Sequence, residues 1–242
     1  PVDAVTLLAL RMMFSLPFFV LSASYSSSKS DNVKFTARQW WSVALLGCLG
    51  YYVSSLLDFV GLQYISAGIE RLVLFIYPTL VLLMTALFFK VKITSRQWLA
   101  LAVTYAGLFL AFGGEINQME STSDFYKGVL SIFLCAITFA LYIIGSGRLI
   151  PSVGSSKFNS YTMSFASMGV LVHFFISSDN SLFDLPLEVY VYSFLMAVFA
   201  TVIPSYLIAE GIKRVGSDNA AIIGSVGPVS TILQAYFILH EP

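Results

Sequence analysis

"FVGLQYISAGIERLVLFIYPTLVLLMTALFFK", residues 59–90, is an apolar run long enough to cross a bilayer, with a Glu-Arg pair at 70–71 and a proline at 78. Moved forward by 150 positions it lies over "AEGIKRVGSDNAAIIGSVGPVSTILQAYFILH", residues 209–240. Gly61 then meets Gly211, Pro78 meets Pro228 and Leu83 meets Leu233 without a gap. The same displacement lays residues 40–57 over 190–207. Identities are few, but helix order, loop length and a mid-helix proline recur together, which reads as an internal repeat.

The chain has 242 residues, of which 57% are hydrophobic and 11% charged, with a mean hydropathy of +0.83. These values lie outside the range of water-soluble domains and predict an all-α membrane protein. Apolar segments recur at 4–25, 40–57, 67–89, 97–113, 128–150, 158–177, 189–209 and 219–240. Helix is the form expected of each, because a backbone in lipid must pair its polar groups within the segment, and the runs are too long and continuous for barrel strands. Trp40, Trp41, Trp98, Tyr126 and Tyr190 fall at segment edges, where amphipathic rings favour the headgroup level.

The loops alternate in charge. Those after the first, third, fifth and seventh segments carry 10 of the 13 Lys and Arg residues, while the other face carries Arg71 and Lys127, and Arg11 lies inside the first segment. By the positive-inside rule the basic loops are cytoplasmic. The third segment therefore runs outside to inside and its repeat partner, the eighth, inside to outside. Such an inversion needs an odd number of helices per repeat, and five fits. Residues 1–114 are then expected to be a first repeat without its first helix, and 115–242 a second without its last, so that eight of ten helices of a polytopic bundle are present. Inverted repeats are a mark of secondary transporters, whose halves rock around a midplane site.

The segments "GLQYISAGIERLVLFIYPTLVLLMTALFF" (61–89) and "GSDNAAIIGSVGPVSTILQAYFILHEP" (216–242) resemble the fourth and ninth helices of EamA-type permeases in the drug/metabolite transporter superfamily. The resemblance implies ten helices in two inverted five-helix halves, both termini cytoplasmic, and movement of small metabolites, often amino acids. Its pattern has a Glu just after both helices; Glu241 matches it, but Lys90 and Val91 stand at the first-half position. It also implies that the helices carrying Tyr51, Tyr77 and Gln234 surround the central cavity.

Pro78 and Pro228 sit near the centres of their segments. Each removes a backbone donor and frees the carbonyl four residues back, at Leu74 and Gly224, which serves either as a packing kink or as an acceptor for substrate. Glu70 and Arg71 lie one turn from the outer edge, as an interfacial anchor or as an outer gate, with Asp58 as the expected partner of Arg71. Arg11 is the deepest full charge and should face protein or water. Polar positions recur at helical spacing: Tyr51, Ser54 and Asp58; Gly227, Thr231 and Gln234; and Ser131, Cys135, Thr138 and Tyr142, the last set reading more as tight packing than as a cavity wall. His173 reads as structural. Cys48 and Cys135 lie in apolar runs and read as packing residues.

Nothing in the sequence points to catalysis. "HEP" at 240–242 does not extend to a zinc-protease motif, "GSG" at 145–147 lacks a matching His or Asp constellation, and no nucleotide-binding GxxxxGK[ST] occurs. The reading is therefore a permease of the bacterial inner membrane with no cofactor, no metal and no nucleic-acid partner. Its expected partners are a small-molecule substrate, the lipid bilayer, a coupling ion such as a proton, and a second copy of the chain. The rival class is a non-transport membrane protein, such as a receptor or a membrane-embedded enzyme.

Overall fold

The structure is a computed structural model that describes residues 3–28, 34–116, 122–178 and 181–227. The described residues are built from helices. In chain order these are α1 (Ala4–Ser28), α2 (Ala37–Gly47), a π-helical turn (Cys48–Val53), α3 (Ser54–Gly61), α4 (Ala67–Leu74), α5 (Tyr77–Phe89) and α6 (Ser95–Ile116). They continue with α7 (Ser123–Val153), α8 (Ser155–Ser177), α9 (Leu187–Met196), a second π-helical turn (Ala197–Val202) and α10 (Ile203–Gly224). α10 is interrupted at Gly216, where φ 81° and ψ 165° end the seventh predicted segment and start the eighth; glycine alone takes this conformation without strain. Among the described residues six stretches are long and apolar enough to cross a membrane.

Local sequence sets the helix starts. Thr36 and Gln39 form a capping box at α2, and Thr94 and Gln97 bond reciprocally at α6. Ser66 and Thr122 cap α4 and α7 through the amides of Ile69 and Phe125. Side chains of the outer surface are apolar: Leu110, Ile176 and Leu187 are 85%, 80% and 76% exposed, as expected of a face that meets lipid.

Inter-helix contacts fix how the helices run. Ser22 meets Ser160 while Met12 clusters with Val170, so α1 and α8 are antiparallel. Gln39 reaches Ser152, Tyr51 stands edge-on to Tyr142 and Gly61 approaches Gly128, so α2–α3 and α7 are antiparallel. Ser155 binds Glu210 and Asn159 binds Ser205, so α8 and the first part of α10 are antiparallel too. On the third segment Tyr77 bonds Ala221 and Phe75 lies against Gly227, so the numbers rise on one helix as they fall on the other. The third and eighth segments are thus antiparallel, and all these registers agree with the alternation read from the loop charges. The contacts also gather residues 35–39, 89–97, 148–157 and 210–219 at one end of the bundle, hereafter the basic end.

The repeat is visible in the backbone. The third segment breaks at residues 75–76 and the eighth at 225–226, 150 positions apart. At both breaks the helix tightens in the same way: Ile76 N–H bonds the Val73 carbonyl at 3.2 Å, and Val226 N–H bonds the Ile223 carbonyl at 3.2 Å. The two π-helical turns lie 149 positions apart, one residue off the same offset. The expected proline kink is therefore a full break: Pro78 sits in the first turn of α5, where its missing N–H costs no helical bond.

Helices pack closely through small residues and bond through hydroxyls, since lipid leaves little hydrophobic drive between them. A seam of Ser22, Ser160 and Tyr206, with Asn159 to Ser205 at 2.9 Å, joins α1, α8 and α10. Gly50 lies under the fully buried Tyr142 ring, and a Cβ there would collide with it. Gly50→Ala should therefore lower stability to unfolding in detergent by about 1–3 kcal/mol. Ser54→Ala, which removes a hydroxyl bonded to its own helix at the Gly50 carbonyl, should change it by less than about 1 kcal/mol.

Candidate functional site

The site is built on the break in the third segment. Ser225 N–H turns back to the Ile222 carbonyl, three residues away, so the Ala221 carbonyl loses its helical donor. The Tyr77 hydroxyl supplies a replacement, donating to Ala221 at 3.2 Å from the other helix. The carbonyl captured across the interface is thus that of Ala221, one turn before the Gly224 carbonyl expected from the proline. Ser225 is held from a third direction by Thr104 of α6 at 3.1 Å.

An aromatic ladder positions Tyr77. Its ring meets Phe75 at 5.8 Å and stands edge-on to Phe139 of α7 at 5.1 Å. Phe139 stacks on Tyr142 at 6.0 Å, and Tyr142 stands edge-on to Tyr51 at 5.1 Å. The Tyr51 and Tyr142 hydroxyls are enclosed and lie near each other, with Ser146 beside Tyr142. Ser54 is not free, because its hydroxyl is spent on Gly50. Ser131 and Thr138 likewise bond carbonyls of their own helix, in line with a packing stripe.

A charged cluster lies at the end away from the basic loops. Glu70, 8% exposed in the first turn of α4, lies near Asp58 at the end of α3. The Arg11 guanidinium faces Asp58 from α1, and the Cys135 thiol of α7 lies beside both carboxyls. Arg11 Nε and Asp58 Oδ1 are enclosed and have no hydrogen-bond partner among the described residues. The expected Asp58–Arg71 pair is absent from the described ion pairs. The reason is helical geometry: neighbours are turned by about 100° from each other, so once Glu70 faces Asp58, Arg71 cannot.

The structure thus brings Asp58, Glu70 and Arg11 together, and joins Tyr51 and Tyr77 through the ladder. Pro78 lies beside Tyr77 in the buried first turn of α5. Pro228, Thr231 and Gln234 lie outside the described residues. His173 bonds the Tyr52 hydroxyl at 2.8 Å, which agrees with a structural role. Sequence reading missed Phe139 and Phe75 as supports of Tyr77, and Cys135 as a neighbour of the carboxyls; its spacing against Glu70 carried no signal.

Comparison with known proteins agrees with this architecture. The model of the EamA-like transporter family matches twice, over residues 1–113 and 126–242. The uncharacterized transporter YcbK of Bacillus subtilis is 32% identical over 99% of this chain and 76% of its own length. An uncharacterized transporter of Synechocystis sp. is 26% identical over 97% of this chain and 72% of its own length. A solved crystal structure with 19% identity superposes with a TM-score of 0.76, covering 97% of this chain and 79% of that one, so the fold is shared. The chain belongs to the EamA-like transporter family and is an integral, multi-pass membrane protein.

The charged cluster makes a measurable coupling. Arg11→Met leaves two facing carboxyls without their cation and should destabilise the detergent-solubilised protein. Adding Asp58→Asn should recover part of that loss, with a double-mutant coupling of about 0.5–3 kcal/mol by denaturant unfolding. Strict additivity would mean that Arg11 and Asp58 do not interact.

Proposed function

We propose that this family member is a secondary transporter that moves a small organic metabolite, an amino acid or a related compound, by alternating access. The observation that carries the reading is the pair of matched breaks at 75–76 and 225–226, in antiparallel helices and closed by the same 3.2 Å bond. Two breaks at one register in opposed helices give each half a bending point at the same level, the arrangement that lets inverted repeats exchange conformations. The two family matches, one per half, support the division into two repeats. Tyr77 links the halves at this level. The Tyr51 and Tyr142 hydroxyls, which lie near each other in the interior, would turn to a solute when the halves open.

The coupling ion in this reading is a proton, held at Asp58 and Glu70. Two carboxyls held close together favour one proton between them, since ionising both sets like charges side by side. Arg11 offsets the remaining negative charge, and rearrangement of α3 against α4 would separate the pair and release the proton.

Reconstituted full-length protein, loaded with a mixed pool of amino acids and other small metabolites and followed by mass spectrometry, tests both parts. The expected result is selective flux of one chemical class, lost in Tyr77→Ala. Glu70→Gln should retain exchange while making net flux indifferent to an imposed pH gradient. Saturable ligand binding with no flux would contradict transport. A pH-gradient response that survives Glu70→Gln would contradict only the proton site.

A further inference from the structure

Between residues 99 and 110, α6 turns one stripe toward the bundle. Leu101 and Leu108 are buried and Thr104 and Tyr105 half-buried, at the i, i+3, i+4, i+7 spacing of a single helix face. Leu99, Val103 and Leu110, on the other sides, are exposed. The stripe thus sets two consecutive polar side chains between two leucines, midway along the 22 residues of the helix and so near the middle of the membrane.

Each of the two reaches a different broken helix. Thr104 lies 3.1 Å from the Ser225 hydroxyl, at the break of the eighth segment. That hydroxyl has its one hydrogen on the Ile222 carbonyl, so Thr104 is the donor. The Tyr105 hydroxyl bonds that of Thr79, in the first turn of α5 just past the break of the third segment. Tyr77 in turn donates to the Ala221 carbonyl, an approach open because Gly224 has no Cβ to strike its hydroxyl. Three bonds, Thr104–Ser225, Ala221–Tyr77 and Thr79–Tyr105, therefore close a ring through α5, α6 and the end of α10. Bending one broken helix against the other must stretch at least one of them, and inside a membrane a parted hydroxyl has little water to turn to.

We propose that Thr104 and Tyr105 make α6 a clamp on both breaks, holding the described conformation until their two bonds part. This role presupposes the proposed bending at the breaks and adds what restrains it. Thr104 and Tyr105 are positioning residues, acting on the breaks rather than on a solute.

The test is the distance between spin labels at Phe88 and Val215, both exposed at the basic end, in full-length protein with its native cysteines replaced. Loss of one ordinary hydrogen bond shifts a two-state ratio by about fivefold. Thr104→Val and Tyr105→Phe should each raise the ratio of a second distance to that of the described structure by about this factor. Thr104→Ser, which keeps the hydroxyl, should stay near the unaltered protein, and Thr79→Val should reproduce Tyr105→Phe and add little to it. A lowered thermal midpoint with an unchanged distance ratio would assign these bonds to packing and overturn the proposal. So would a single distance in the unaltered protein and in every variant. Ratios that shift as expected, in a protein that carries no solute across a vesicle membrane, would support the clamp and contradict transport alone.

Discussion

A carbonyl that loses its helical partner inside a bilayer has no water to turn to, and must find a donor on another part of the protein. The Ala221 carbonyl is in that position because the eighth segment tightens at Ser225, and the donor it finds is Tyr77. The bond is worth about 1 kcal/mol net, yet leaving that carbonyl unpaired would cost about 1–3 kcal/mol. A local defect in one helix thus becomes a fixed contact between two halves of the chain. Phe75, Phe139 and Tyr142 hold the tyrosine in place, and Gly50 lets α2 and α7 come close enough for the ladder to close.

The two repeats share the break but not the capture: in the first, Phe75 N–H still bonds the Arg71 carbonyl at 3.0 Å, and Gly227 stands where Tyr77 would be repeated. Glu70 and Arg71 correspond to Ala220 and Ala221, so the carboxyl pair with Asp58 exists in the first half only. Ser66, which caps α4, corresponds to Gly216, which has no side chain to do so. Because the halves are inverted, these departures fall at opposite ends of the bundle.

Much of this was legible in the residues. Hydropathy placed the helices, since runs of about 20 apolar residues have few other uses, and loop charge gave the alternation that the contact registers repeat. Pro78 marked the break. The finer geometry was not legible, for physical reasons. Periodicity states which residues share a face but not which neighbour that face meets, so Asp58 was paired with Arg71 when Glu70 occupies that side. Tyr142 lay in a stripe whose spacing is the same for packing as for a cavity wall. The π-helical turns carry no composition of their own in CLGYYV and AVFATV. The capping boxes Thr36-x-x-Gln39 and Thr94-x-x-Gln97 were readable and passed unread.

In the proposed cycle the broken third and eighth segments let the two halves open at one end while closing at the other. Electron–electron distance measurement with spin labels tests it in full-length protein whose native cysteines, Cys48 and Cys135 among them, are replaced. One label pair stands at Phe88 and Val215 on the basic end, and a second at Tyr64 and Leu187 on the other; all four positions are exposed. The account predicts that a change of pH, or of a transported solute once known, lengthens one distance and shortens the other. Two distances that stay fixed, or move in the same direction, would contradict it.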